Sequence, residues 1–153
     1  MDSMNMTEEE ANQTLLDSLN IAQEAKQAGG KDTIVIGDIG PVADGPNSCY
    51  YPTYLARMTV NEIEKWHERR FKLFAEDDRC DIIGCETITG SKEVEALLNL
   101  MRKYPKDCYL ALACARSGPE ELNSREPWKE VFRLINQNKP DSLKGKSCEM
   151  FAE

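Results

Sequence analysis

The chain is 153 residues long, 41% hydrophobic and 30% charged, which is enough apolar material for one domain with a real core. Its formal net charge of −8 excludes a basic surface for nucleic acid or for an anionic membrane as the main partner. No apolar run nears the ~20 residues needed to cross a bilayer, and Glu8, Glu9 and Glu10 stand where a secretory leader would turn from basic to apolar.

In chain order, Thr7 and Glu10 form a capping box, and Ala11, Leu15, Leu16, Leu19, Ala22 and Ala25 then predict a helix that Gly29 and Gly30 end. The β-branched run 33–36 predicts a buried strand entering the turn Gly37, Asp38, Ile39, Gly40, Pro41. From Gly37 to about Met58, glycines, prolines and Tyr50, Tyr51 and Tyr54 predict a long irregular loop, of a length that compact domains keep for function. Thr59 and Glu62 make a second capping box, and Ile63, Trp66, Arg70, Phe71 and Phe74 carry a helix to about Ala75.

Residues 80–85 predict a second strand that ends abruptly in Glu86 and Thr87. Ser91 caps a third helix with Val94, Leu97, Leu98 and Met101 on its apolar face, and residues 108–113 form the next strand. A polar loop containing Gly118 and Pro119 leads to Pro127 at the first position of a last helix, whose stripe is Val131, Phe132, Leu134 and Ile135. The order αβαβαβα predicts a parallel sheet of three strands with right-handed crossovers. Ligands gather beyond the carboxyl ends of such strands, which positions Glu86 for binding or chemistry.

The turn from Gly37 to Pro41, the residues Lys65, Trp66 and His67, the strand end Glu86 and Thr87, the strand end Ala113 and Cys114, and the loop from Asn123 to Pro127 occur in the order and spacing of one family. The chain resembles the homocysteine S-methyltransferases, over about residues 15–138. The resemblance implies a (β/α)8 TIM barrel that moves a methyl group from S-methylmethionine, S-adenosylmethionine or betaine to the thiol of homocysteine, giving methionine. Homocysteine and a methyl donor are the partners it implies, and Glu86 matches the acid that holds the homocysteine amino group, with Thr87 and Cys114 beside it.

The family uses zinc, held by three cysteine thiolates, because coordination deprotonates a thiol whose ordinary pKa is about 8.5. The adjacent Cys-Cys pair of that cage is absent here, and Cys148 falls near the place of the remaining ligand in a different sequence context. A full barrel takes ~250 residues, so the expectation is a partial barrel missing N-terminal and C-terminal units, over residues 1–145, with a divergent tail at 146–153. Such a chain is expected to bind no zinc alone and to be weakly active or inactive. The alternative is a non-catalytic truncated or splice-variant fragment that interacts, or associates with itself, through open sheet edges.

Several residues carry two readings. A carboxylate at Glu86 could instead serve the dipole of the helix starting at Ser91. His67, the one histidine, reads as a structural residue, since no His-based metal site or triad can be built from it. Cys80 and Cys85 are expected on opposite faces of their strand, and with Cys108 they read as small buried residues. Tyr50, Tyr51 and Tyr54 either wall a pocket for a cationic donor or pack the loop, while Asp38 and Asp44 either line the site or hold turns. The cysteines lie scattered in core-like sequence, which points to a reducing, cytoplasmic setting. A small flavodoxin-type nucleotide binder is a weaker option, because Gly-x-Gly-x-x-Gly and P-loop patterns are missing.

Overall fold

Both capping boxes close as predicted. Thr7 N donates to Glu10 Oε2 at 2.7 Å while Glu10 N donates back to Thr7 Oγ1 at 3.2 Å, and Thr59 and Glu62 repeat the exchange at 2.8 and 3.3 Å. They start α1 (Glu8–Gly29) and α3 (Val60–Glu76). The computed structural model describes residues 6–29, 32–45, 47–115 and 120–149, without the side chains of Cys148 and Glu149; the expected loop residues Gly118 and Pro119 lie outside it.

The remaining elements are β1 (Ile36–Ile39), α2 (Tyr54–Arg57), β2 (Ile82–Ile88), α4 (Ser91–Lys103), β3 (Cys108–Ala113), α5 (Trp128–Asn138) and β4 (Leu143–Glu149). The four strands lie side by side in the order β1-β2-β3-β4, and every pair is parallel. Sequential parallel strands need each crossover to pass the same way, so right-handed connections stack the helices on one face. A doubly wound sheet would reverse its order at a switch point, which this sheet does not.

Several expectations change. The first strand begins at Ile36 rather than Thr33, because Val35 N–H is taken by the Asp81 carboxylate at 2.7 Å and the regular ladder starts at Ile36 opposite Ile82. The sheet has four described strands rather than three: residues 143–149 lack an apolar run and become a strand by pairing along β3. Cys80 precedes β2 and joins Cys85 in one core, so the two do not face apart. The long loop also contains one helical turn, α2.

The core lies between the sheet and its helices. Ile39, Ile83, Cys85, Leu110 and Leu112 meet Phe71, Phe74, Val94, Leu97, Met101, Val131 and Ile135 there, all at most 4% exposed. Alternation sends the intervening residues to the other face, where Ile36 is 43% exposed on β1.

Candidate functional site at the carboxyl end of the sheet

On that other face a tyrosine lies between two glycines. Tyr109 of β3 is in register with Gly84 of β2 and Gly145 of β4. A Cβ on Gly84 would stand 2.5 Å from the Tyr109 hydroxyl and 2.6 Å from Cζ, so the bare backbone of Gly84 is the bed on which the ring rests. From there the Tyr109 hydroxyl donates to Glu86 Oε1. Sequence reading did not single out Tyr109; a glycine inside a strand, a mark of close approach, is the signal that would have found this contact.

The strand is irregular at this point. Register shifts between Cys85 and Ile88, and Thr87 has φ 60°, in the left-handed region that a β-branched residue avoids. Such backbone costs ~1–3 kcal/mol and persists where neighbours over-determine it, commonly beside a functional residue. Asp38, across on β1, shares the face and the charge: partial burial first, and then the Glu86 carboxylate, raise its pKa above the ordinary value, with Arg70 pulling the other way. A pair of carboxylates with a phenol beside them can hold an ammonium group.

A second carboxylate system lies below the loops. Glu93, in the first turn of α4, and His67 of α3 are both fully buried, with His67 Nε2 2.9 Å from Glu93 Oε1. Val42 N donates to Glu93 Oε1 at 2.8 Å and Tyr54 OH to Oε2 at 2.6 Å, while Thr89 N and Oγ1 lie at 3.5 and 3.4 Å. Burial raises the pKa of this carboxyl, but the His67, Tyr54 and Val42 donors outweigh it and hold it below the ordinary value. Burial and the Glu93 charge push the Tyr54 phenol far up, keeping it a donor. Arg70 Nη2 faces His67 Nδ1 at 3.4 Å and its guanidinium lies 4.5 Å from the Trp66 ring centre. A guanidinium only donates, so Nδ1 is the acceptor and Nε2–H the donor to Glu93. His67, expected to be partly buried or at the surface, is thus a fully buried donor to Glu93; Glu93 was not singled out from the sequence, since a Glu in a helix's first turn looks like a solvated cap.

The start of α4 is served by another acid. Ser91 N donates to Glu126 Oε2 at 2.9 Å and its hydroxyl to Oε1, with Gly90 rather than Ser91 at the N-cap position. A Cβ on Gly90 would come within 2.6 Å of Glu126, which explains the glycine. The helix-dipole role considered for Glu86 is therefore filled by Glu126. Tyr50 and Tyr51 line an open groove of about 500 Å³ with Leu55, Ser124 and Glu126, whereas Tyr54 is sealed in the Glu93 network. Asp44 pairs with Arg57 and receives Thr53 Oγ1 at 3.3 Å, a loop-holding role.

Cys49, Cys80, Cys85 and Cys108 are free thiols, and burial pushes Cys108 up to about 12. Cys114, at the end of β3, is 4% exposed and disulfide-bonded, so its sulfur is not a thiolate. The Cys148 side chain lies outside the described residues. Among those described, no three His, Cys, Asp or Glu side chains are grouped to hold a metal ion, so they do not fit a zinc cage. No described helix is long and apolar enough to cross a membrane.

Sequential parallel strands, helices on one face and carboxylates at the strand ends define an α/β protein of the barrel class. Solved structures of the homocysteine methyltransferase MmuM from Escherichia coli share the fold. The apo form has a TM-score of 0.76 at 19% identity, covering 95% of this chain and 52% of that one. The metallated form has 0.79 at 22% identity, covering 94% and 50%. The four strands and their helices are therefore a partial barrel, and the chain spans about half the length of these structures. It is also 27% identical over 128 residues to the homocysteine S-methyltransferase of Escherichia coli (strain K12), covering 77% of this chain and 39% of that relative. The family model for homocysteine S-methyltransferase matches residues 1–151, and the chain belongs to that family.

Proposed function

We propose that this chain carries the homocysteine-binding part of a homocysteine S-methyltransferase site, with Glu86 receiving the amino group of the substrate. The observation that carries this reading is the placement of Glu86: at the carboxyl end of β2, in a bulge beside a left-handed Thr87, and oriented by Tyr109. An ammonium docked there meets Glu86 directly and Asp38 across the strand gap, while Thr87 and the end of β3 near Cys114 border the amino-acid backbone. In the reaction this family performs, the homocysteine sulfur forms a bond to the methyl carbon as the donor's bond to that methyl breaks and its electron pair leaves with the donor. The described residues bind and orient the amino acid; they do not supply the thiolate cage that would activate its sulfur.

Calorimetry with homocysteine, with and without Zn²⁺, on the wild type and on Glu86→Ala tests this. The expected result is binding by the wild type that Glu86→Ala loses and that zinc does not strengthen. Equal binding by both proteins overturns the role of Glu86; zinc-dependent binding overturns the expectation that this chain holds no zinc by itself. A second reading, self-association, draws on the exposed Ile34 (59%) and Ile36 (43%) beside the edge of β1. Light scattering showing a monomer at high concentration would remove it.

A further inference from the structure

Glu93 is fully buried and accepts hydrogen bonds from four separate segments. Val42 follows β1, Tyr54 belongs to α2, His67 to α3, and Thr89 follows β2. Tyr54 OH and Thr89 Oγ1 are themselves 2.6 Å apart, so the ends of β1 and β2 and the long loop between them converge on one carboxylate.

Well-packed apolar residues often replace a buried charge with no loss of stability, so packing alone does not account for an acid here. What a carboxylate adds is direction, since each donor must sit at a fixed angle to one of two oxygens. Thr89 is two residues beyond the left-handed Thr87 and three beyond Glu86. The bulge is therefore pinned at both ends, by Tyr109 on Glu86 and by Glu93 on Thr89 through the Tyr54 hydroxyl. That hydroxyl lies 2.6 Å from both Glu93 Oε2 and Thr89 Oγ1, while the Thr89 amide meets Glu93 at 3.5 Å.

We propose that Glu93 is the positioning residue of the Glu86 site, acting through the Tyr54 hydroxyl and Thr89 to keep Thr87 left-handed and the Glu86 carboxylate aimed across the open face. Its consequence for ligand rests on the homocysteine reading; its consequence for the bulge does not. Two variants test it. Glu93→Gln keeps the volume but places an amide nitrogen among donors, and Thr89→Val removes only the hydroxyl that meets Glu93 and Tyr54.

The readouts are the backbone amide coupling of Thr87 and the carboxyl ¹³C signal of Glu86 by NMR, together with homocysteine affinity by calorimetry. In folded variants the Thr87 coupling and the Glu86 signal are expected to change, with homocysteine affinity falling about tenfold, the scale on which outer partners of a binding group act. Wild-type Thr87 and Glu86 signals in a folded variant overturn the proposal whatever the binding result. If the wild type binds no homocysteine but both signals change in the variants, the positioning role stands and the substrate assignment falls. Should Glu93→Gln not fold, Thr89→Val, which leaves the carboxylate its Val42, Tyr54, His67 and residue-89 amide donors, decides the matter by the same signals.

Discussion

Replacing Gly84 by alanine should disconnect Glu86 from Tyr109 at small cost to folding. The new Cβ would lie 2.5 Å from the Tyr109 hydroxyl, 2.6 Å from Cζ and 2.9 Å from Cε1, whereas carbon contacts are comfortable at ~3.5–4.0 Å. The ring must therefore lift by about 1 Å, and the open face gives it room to do so. A hydrogen bond to a charged group contributes ~1.5–3 kcal/mol, and the lower end applies because this pair is only part-buried. Alanine in place of glycine inside a strand returns ~0.5–1 kcal/mol. The balance is a destabilisation of about 0.5–1 kcal/mol, read by urea unfolding, accompanied by a changed carboxyl ¹³C signal of Glu86. Tyr109→Phe, which removes the hydroxyl without a clash, should reproduce the spectral change. An unaltered Glu86 signal in Gly84→Ala, or a loss beyond ~3 kcal/mol, would refute the geometry.

Phe71 is fully buried in the main core, and Phe71→Ala should cost ~3–5 kcal/mol by the same unfolding assay; a loss under ~1 kcal/mol would mean the α3–sheet packing is not as described. The Glu93 carboxyl is held below its ordinary value, so its contribution is present above the unfolded carboxyl pKa of ~4.3 and is lost as pH falls through the folded value. The stability gap between wild type and Glu93→Gln should accordingly shrink from pH 7 to pH 3, and a constant gap would contradict the charge state. Asp38, whose pKa is raised, runs the other way, and Asp38→Asn should gain stability relative to wild type near neutral pH. Because the chain has one histidine, a single imidazole appears in a ¹⁵N spectrum; it should show the Nε2–H tautomer, and an Nδ1–H form would break the Arg70–His67–Glu93 assignment.

Patterns complete within one segment were legible from the residues alone. The two capping boxes, the apolar stripes of α3, α4 and α5, and the strand 108–113 depend on neighbours a few residues away, and each appeared where local chemistry put it. Glu86 was legible as an acid near the carboxyl end of the second strand, but the strand does not stop there as residues 80–85 predicted: it continues through a bulge to Ile88, which pairs with Leu112. What tertiary structure decided involves groups far apart in the chain. Strand β4 exists because β3 offers it a ladder, and β1 begins late because Asp81 takes the Val35 amide. Tyr109 serves Glu86 only because register lays its ring over Gly84. Glu93 becomes the meeting point of four segments rather than a solvated cap because folding brings donors 4 to 51 residues away onto two oxygen atoms, and no local pattern encodes that distance.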